Sequence, residues 1–502
     1  MIKNIFLSKL TWITFLIYNL LIFNSEYFST YFYILSIGIF FLNVFPIINF
    51  CLNHKKINYI PLFYFTHTYF FFCYTIGLFF PEYVVSILTG DILGEIFLDS
   101  NLQVKIFQNA MIIYIFGLFF FNLGNFIILH FFQDNFKTNN FFSYKDNNKE
   151  ILLLGILTYL LSLIFIFITD SEVLKKIYQI KYPLIYMSLI CFHLFILFKE
   201  NLKITYKVIL YILVFFILFL EILDGSIAKS FLYLIAIYLV NFIVTKKINL
   251  KFLFSIIFVC VLLHTFKYEY RNLIWGISNV NSTLSNYETA LKKNQKTHDK
   301  IERGKLFIST YYDSVNNIKN EKIKKSLDTF INRNLSRLTH SIQSLIVVVG
   351  LSPQYVPYWE GYSYKIFVTK LIPRIFWENK PSDILGNEFG KRYKILNEGD
   401  MSTSWNMPVL NEFFVNFGII GVLIGMFFLG FIFSILPIFL NYKYDNYLFI
   451  ITFITLYPRF FLESHFSLNF GAVLQTFIFL LVYLYFFKKF LLIMKRFLKL
   501  FR

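Results

Sequence analysis

Long apolar segments dominate the chain, and they restrict the folds that it can adopt more than any other feature. A helix of about 20 mostly apolar residues crosses the ~30 Å hydrocarbon core of a bilayer. Runs of suitable length fall near residues 5–24, 31–52, 60–80, 106–132, 151–169, 183–198, 208–223, 228–245, 250–266, 411–440, 446–463 and 467–487. Only 15% of the residues are charged, against about 25% in soluble domains. The sequence therefore predicts an all-α integral membrane protein with about twelve transmembrane helices.

Basic residues in the short connections predict the orientation of these helices. Lys and Arg concentrate in alternate loops and near both ends of the chain, and such residues remain on the cytoplasmic side. Both termini are therefore expected in the cytoplasm. The expected divisions are an N-terminal bundle of about nine helices (1–266), an extracytoplasmic loop domain (267–410), about three C-terminal helices (411–487) and a basic cytoplasmic amphipathic tail (488–502).

Two basic segments point to anionic lipids as partners. The tail reads KKFLLIMKRFLKLFR, a pattern typical of a segment that lies along the inner leaflet; a simple anchor is the alternative. Between Lys267 and Asp400, Lys and Arg outnumber Asp and Glu by 21 to 13. An outward basic surface beside the membrane suits an anionic partner such as a lipid phosphate.

Nucleotide and metal motifs are missing from the sequence. It contains no Walker A, GxGxxG or HExxH motif, so an ATP-driven pump and a zinc protease have no support. Its four cysteines include no CxxC pair, and its histidines lack metal-ligand spacing. We expect no metal, no cofactor and no nucleic acid partner.

Arginine is scarcer than lysine and collects in one part of the chain. Its fork can bind phosphate oxygens through two parallel hydrogen bonds, and a departing pyrophosphate needs Mg²⁺ or fixed cations to stabilise its charge. Arg374, between Pro373 and Trp377, is the main candidate. For Arg333 and Arg337 a solvated helical face is the alternative, and for Arg271 it is extension to the membrane interface. The candidates are Arg271, Arg333, Arg337, Arg374 and Arg459.

A carboxylate and an amide open the span near 411–440. Glu412 and Asn416 are four residues apart, so they share one helical face. A carboxylate at this position could serve as the general base that a sugar hydroxyl needs, with Glu360 and His465 as further candidates and Asn416 to position the hydroxyl. The alternative for Glu412 is an acidic residue that interacts with the dipole of its own helix.

The same region resembles a known family. LIPRIFWENKP (371–381) and SWNMPVLNEFFVNFGIIGVLIGMFFLG (404–430) resemble the bacterial O-antigen and oligosaccharide repeat-unit polymerases (Wzy-type). Members are similar in having a PR-x-x-W-x-x-KP run outside the membrane and then an E-x-x-x-N-x-G helix start. YWEGYSY and KYEYRN upstream also fit. Where related sequences often carry Gly-Ser-Arg before the eighth span, this chain has Gly225-Ser226-Ile227-Ala228-Lys229, so a cationic role there would pass to Lys229.

The resemblance implies a metal-independent, GT-C-like glycosyltransferase of the bacterial inner membrane with a periplasmic loop. It would move the growing glycan from undecaprenyl pyrophosphate to the next lipid-linked repeat unit, as in O-antigen, capsule or exopolysaccharide synthesis. On this reading Arg374, with Glu412 or His465 as base, is catalytic, and a chain-length regulator protein is left open as a partner. The substrate-binding set would be Arg271, Arg333, Arg337, Arg459, Lys380, Trp377, Trp359, Tyr364, Asn416 and Glu360, with the aromatic rings stacking on sugar.

Two other functions remain open at this point. An O-antigen ligase of the same superfamily would transfer finished glycan to a lipid A core. A polysaccharide exporter or flippase would bind the same glycolipid without chemistry, but it should carry cations at mid-bilayer depth and have pseudo-symmetric halves. The few charges within the spans and the single large loop favour an enzyme.

Overall fold

The structure is a computed structural model, and it places most of the apolar segments. It describes residues 28–53, 62–80, 100–132, 148–167, 178–199, 201–223, 227–259, 338–372, 384–401, 403–443, 446–460 and 464–500, together with positions 12, 13, 16, 17, 84, 263 and 377.

These residues form helices and their connections, without a strand in the described ranges. The helix Leu62–Phe70 continues through a π-helical segment, Phe71–Thr75, into a 3-10 turn, Ile76–Phe79. The helices are α1 (Phe28–Asn53), α2 (Leu62–Phe70), α3 (Ser100–Phe132), α4 (Asn148–Phe167), α5 (Lys181–Phe198), α6 (Ile204–Leu223), α7 (Ile227–Thr245), α8 (Leu250–Val259), α9 (Leu338–Leu351), α10 (Tyr362–Leu371), α11 (Leu385–Arg392), α12 (Val409–Lys443), α13 (Asn446–Phe460) and α14 (Phe466–Leu500).

Seven helical segments of the described chain are long and apolar enough to cross a bilayer. They are Leu62–Phe79, Asn101–Phe132, Asn148–Phe167, Lys181–Phe198, Ile204–Leu223, Val409–Phe439 and Phe466–Arg496. The prediction of a helical, multi-pass membrane protein is therefore confirmed. The number of about twelve spans stays a prediction, and most of the first expected span, 5–24, lies outside the described residues.

The chain divides into two compact units. Unit 1 comprises Met1–Phe141, Leu335–Phe449 and Arg459–Ile478; unit 2 comprises Phe142–Asn334, Ile450–Pro458 and Phe479–Arg502. The last part of the predicted 267–410 segment thus belongs to unit 1, where α9 packs on the 3-10 turn after α2: a Cβ at Gly77 would lie 3.2 Å from Ile342. The boundaries expected from the sequence stay predictions.

In unit 1, α12 packs closely against α3 where both helices carry glycine. A Cβ at Gly430 would lie 2.0 Å from the carbonyl oxygen of Phe121, and one at Gly124 would lie 2.2 Å from that of Phe427. Small residues allow two backbones to approach in this way. The pairing fixes the long part of α12 against the rest of unit 1.

Helix α12 is not a single straight rod, although the sequence predicts one span over 411–440. Phe417 (φ −139°, ψ 16°) and Gly418 (φ 64°, ψ −148°) leave helical geometry. The ring of Phe413 then lies where a Cβ of Gly425 would be, at 2.5 Å, whereas twelve residues of straight helix would separate the two by about 18 Å. The first two turns of α12 therefore fold back on the remainder.

A buried polar network of unit 1 orients the π-helical segment. Asn43 donates through Nδ2 to the hydroxyls of Thr75 (2.9 Å) and Tyr114 (3.0 Å). Buried polar groups need such partners because an unsatisfied one is costly. Tyr74, which directly precedes Thr75, donates its hydroxyl to Asn411 of α12 at 2.9 Å.

Unit 2 is built on α4 and α5. A Cβ at Gly155 would lie 3.0 Å from both Cys191 and Phe192, so the glycine lets the two helices approach. Lys181 at the start of α5 and Glu221 near the end of α6 form a buried ion pair with a 2.5 Å separation. Helix α14 is unbroken to Leu500, so the basic residues from 488 continue the helix that begins at Phe466.

Candidate functional site

The break in α12 is held open by a turn from another part of the chain. Helix residues near a break lose their intrahelical partners. Here three successive backbone N–H groups supply new ones: Trp359 donates to the carbonyl of Val415 (3.0 Å), and Glu360 donates to that of Asn416 (3.1 Å). Gly361 donates to the Asn416 side-chain oxygen, also at 3.0 Å. The turn and the broken helix thus form one unit of structure.

Asn416 is the centre of this arrangement. It is fully buried, and its Nδ2 donates to Ser363 Oγ and to the carbonyl of Glu412, both at 2.8 Å. The bonds with Gly361 and Ser363 join α12 to the start of α10, and the bond to the Glu412 carbonyl lies within α12. Asn416 also lines the cavity described below, and its expected role in positioning a ligand hydroxyl stays a prediction.

Glu412 and Asn411 tie the same helical turn to three further elements. Asn411 accepts from Tyr74 and donates to the carbonyl of Ser341 in α9 at 3.1 Å. The Glu412 carboxylate is fully buried and accepts the backbone N–H of Phe466, the first residue of α14. A helix N-terminus carries partial positive charge, so the carboxylate interacts with the dipole of α14 rather than only with that of its own helix.

A cavity of about 620 Å³ opens beside the break. Its polar end carries Glu360, Tyr358, Tyr364 and Asn416, and apolar side chains of α12 form the other end. Ligand pockets of this size commonly combine an apolar surface with a few fixed polar groups. The lining residues are Tyr358, Glu360, Tyr364, Phe413, Asn416, Phe417, Ile420, Gly421, Ile424 and Gly425. Such a cavity suits an amphipathic molecule.

The two tyrosines at the polar end keep their protons. Burial raises the pKa of Tyr364 well above its ordinary value, the nearby charge of Glu412 raises it further, and a hydrogen bond with Asn416 partly offsets both effects. Burial also raises the pKa of Tyr358. Each phenol is therefore a hydrogen-bond donor at neutral pH. The ring of Tyr364 stacks on that of Phe417 with centroids 6.2 Å apart.

The other residues expected from the sequence have different surroundings. His465 is buried, and its carbonyl accepts the N–H groups of Leu468 (3.2 Å) and Asn469 (3.1 Å) in the first turn of α14. Trp359 is also buried, packed edge-on against Phe389. Neither lines the cavity. Trp377 is exposed, and its role in stacking on a sugar stays a prediction.

The side chains of all the predicted phosphate ligands, and that of Lys380, lie outside the described residues. This applies to Arg271, Arg333, Arg337, Arg374 and Lys380, and to the side chain of Arg459. A described arginine does approach the turn: Arg392 Nη2 donates to the carbonyl of Pro357 at 2.8 Å, and its guanidinium lies 5.6 Å from the ring centroid of Trp359. The phosphate-binding roles therefore stay predictions.

Sequence reasoning gave no site role to several residues that line or shape the cavity, including Tyr358, Asn411, Phe413 and Gly418. Tyr358 opens the YWEGYSY segment and Phe413 lies within NEFFVNFG, but nothing in the sequence distinguishes these two as cavity residues among the chain's many aromatic residues. Asn411 precedes Glu412 directly, and Gly418 ends the E-x-x-x-N-x-G pattern, so a closer reading of NEFFVNFG would have included both. Among the described residues no group of three or more His, Cys, Asp or Glu side chains is arranged to hold a metal ion.

The fold and this site define an all-helical, multi-pass membrane protein with a polar-to-apolar cavity at a broken helix. Comparison with protein-family models, curated proteins and solved structures found no match to the chain.

Proposed function

We propose that the protein polymerises lipid-linked oligosaccharide repeat units. The cavity beside the break in α12 is the observation that carries this proposal, because it joins a carboxylate and two protonated phenols to an apolar surface on a long membrane-type helix. A sugar attached to a lipid carrier has the same division into a polar and an apolar part. The motif resemblance in 371–381 and 404–430 supports the same substrate class.

The proposed reaction is glycosyl transfer without a metal. A hydroxyl of the incoming lipid-linked unit forms a bond to the anomeric carbon of the growing glycan, and the bond from that carbon to the diphosphate oxygen breaks. The undecaprenyl diphosphate leaves with the electron pair, and the hydroxyl proton passes to a base. Stabilising the departing charge is the task of fixed cations, for which Arg374, Arg271, Arg333, Arg337 and Arg459 stay the candidates.

The proposal includes a location and a topology. We place the protein in the bacterial inner membrane as a GT-C-like bundle of about twelve helices, with both termini cytoplasmic and the 267–410 segment periplasmic. The cavity would then take substrates from the outer leaflet, where flipped repeat units collect. A chain-length regulator is a proposed protein partner.

Reconstitution tests the proposal directly. The purified protein in liposomes receives undecaprenyl-pyrophosphate-linked repeat units in the presence of EDTA, and products are separated by gel electrophoresis. We expect a ladder of polymer lengths with the wild type and with the control Lys251→Ala, whose lysine is exposed in α8, and a loss of the ladder with Arg374→Ala.

Four results would contradict parts of the proposal. A full ladder from Arg374→Ala would remove Arg374 from the site, and a requirement for added Mg²⁺ would exclude the metal-free mechanism. If glycan appeared only on an added lipid A core, the protein would be a ligase. Absence of any transfer, with movement of the glycolipid across the bilayer, would identify a flippase.

A further inference from the structure

Glu360 adopts a backbone conformation that glutamate rarely takes. Its φ is +48°, in the left-handed region where a Cβ crowds the backbone and glycine is normally preferred. Its neighbour Gly361, at φ +83°, occupies the same region without a side chain. Non-glycine residues held in this way concentrate at functional sites, where the surrounding structure enforces the strain.

The hydrogen bonds around the turn show what enforces it. The N–H groups of Trp359, Glu360 and Gly361 are all bonded to α12, so the backbone cannot relax without breaking the link to the broken helix. None of these bonds uses the Glu360 side chain. A glycine at position 360 would satisfy the same backbone geometry with less strain, so the fold itself does not require a carboxylate here.

The side chain at this position belongs to the cavity. Glu360 is exposed and lines its polar end together with Tyr358 and Tyr364. The other acidic candidate, Glu412, is fully buried against the start of α14 and does not line the cavity. Of these two carboxylates, Glu360 is the one that a bound molecule can contact.

We propose that Glu360 binds sugar hydroxyl groups at the polar end of the cavity. A carboxylate has two acceptor oxygens and can receive hydrogen bonds from two adjacent hydroxyls of a pyranose ring. The phenols of Tyr358 and Tyr364 donate to ring or glycosidic oxygens, and their aromatic faces contact the apolar C–H surface of the sugar. The identity of the sugar-bearing lipid rests on the proposed function; under that function, Glu360 is placed to accept the proton of the attacking hydroxyl.

The test separates ligand binding from backbone strain by comparing two glycine substitutions. Lys394 also has a left-handed backbone, with φ +55°, but it lies outside the cavity lining. Both Glu360→Gly and Lys394→Gly should relieve strain and raise the thermal midpoint in nanodiscs by about 1–3 °C. Glu360→Gln keeps the size of the side chain and removes its charge, so it should leave the midpoint unchanged.

Binding is measured with monoglucosyl diacylglycerol as the probe and the same diacylglycerol without glucose as the reference, by native mass spectrometry. The wild type and Lys394→Gly should retain the glucosyl lipid in preference to the reference. Losing charged hydrogen bonds should weaken this preference at least about tenfold in Glu360→Gly and less in Glu360→Gln.

Several results would overturn the inference. One is a wild type without preference for the glucosyl lipid. Another is a preference that survives intact in Glu360→Gly or Glu360→Gln. A third is a fall in the thermal midpoint of Glu360→Gly, since the carboxylate would then be holding the turn. Neither the binding measurement nor the thermal midpoint requires turnover. A wild type that binds the probe through Glu360 but makes no polymer would contradict the proposed function and leave the inference intact. Full polymerisation by Glu360→Gly would contradict the inference and leave the proposed function intact.

Discussion

The Glu412 carboxylate accepts the backbone N–H of Phe466, 54 residues further along the chain. This hydrogen bond joins the first turn of the broken helix α12 to the first residue of α14. Because both groups are buried or nearly so, water cannot replace either partner at low cost. The bond therefore joins the start of α14, which His465 directly precedes, to the helical turn beside the cavity.

Replacing Glu412 with alanine should destabilise the protein. The substitution leaves the Phe466 N–H without its acceptor and removes a charge from the N-terminus of α14, so we expect a loss of about 2–3 kcal/mol in the free energy of unfolding. Glu412→Gln keeps an acceptor oxygen and should lose less. The measurement is thermal or SDS-induced unfolding of the purified variants in mixed micelles.

The glutamine variant also separates positioning from catalysis. If Glu412 only positions α14, Glu412→Gln should keep a substantial part of the polymer ladder. If the variant unfolds like the wild type yet makes no polymer at all, Glu412 acts as the base, as the sequence first indicates, and our reading of its buried position is wrong.

Gly418 permits the sharp reversal in α12, and alanine should not be tolerated there. Its φ of 64° with ψ of −148° lies in a region occupied almost only by glycine, at a cost of about 1–3 kcal/mol for other residues. A Cβ would also lie 2.7 Å from the Tyr358 hydroxyl, so packing adds a similar loss. Unfolding of Gly418→Ala should show both effects.

Gly399→Ala is the matched control for this substitution. A Cβ at Gly399 would meet nothing within 4 Å, so its alanine variant should unfold like the wild type. Equal stability of Gly418→Ala and the wild type would show that α12 can follow another path at this point.

The sequence predicted the helical membrane class well because hydrophobic length is a local property. The runs near 31–52, 106–132 and 183–198 reappear as α1, α3 and α5 with shifts of a few residues. The fold-back of α12 was not predicted. It depends on the dihedral angles of Phe417 and Gly418 and on N–H donors that lie more than 50 residues earlier. The hydrophobic pattern of 411–440 contains no sign of these angles or of these donors.

The sequence predicted only part of the candidate site, because the contacts around a side chain depend on segments that are distant in the sequence. Glu360, Tyr364 and Asn416 come together around the cavity, as their placement in the predicted set suggests. Whether a carboxylate is exposed or buried depends on packing against residues far away in the sequence. Glu360 is exposed and Glu412 is buried. Composition alone could not show which of the two carboxylates a ligand can contact.

In unit 2, removing one partner of the buried Lys181–Glu221 pair should be strongly destabilising. The two side chains are 2% and 1% exposed, so Glu221→Gln leaves a buried ammonium without its counter-charge. We expect a loss of about 3–5 kcal/mol in the free energy of unfolding. The double variant Lys181→Met/Glu221→Leu should recover most of it, because it removes both charges.

The Lys495–Glu150 pair of the same unit provides the comparison. Its nitrogen and oxygen are 2.7 Å apart, but Lys495 is 64% exposed, and solvent screens such pairs, so Lys495→Ala should change stability by less than about 0.5 kcal/mol. If Lys181→Met/Glu221→Leu is as unstable as Glu221→Gln, the Lys181–Glu221 pair stabilises the fold by more than the mutual compensation of its two charges.

The buried hydroxyl of Tyr393 should make stability depend on alkaline pH. Burial raises the pKa of this phenol to about 12, although a hydrogen bond with Ser352 partly opposes the shift; the two hydroxyl oxygens are 2.8 Å apart. The unfolded chain releases this proton near its ordinary pKa of about 10, while the folded chain retains it. The stabilisation is therefore complete below about pH 10 and is lost as the pH rises through about 12. Tyr393→Phe has no such proton. Its thermal midpoint should therefore fall less steeply than that of the wild type between about pH 10 and 12. Parallel midpoint curves for the two proteins would show that Tyr393 ionises as readily in the folded chain as in the unfolded one.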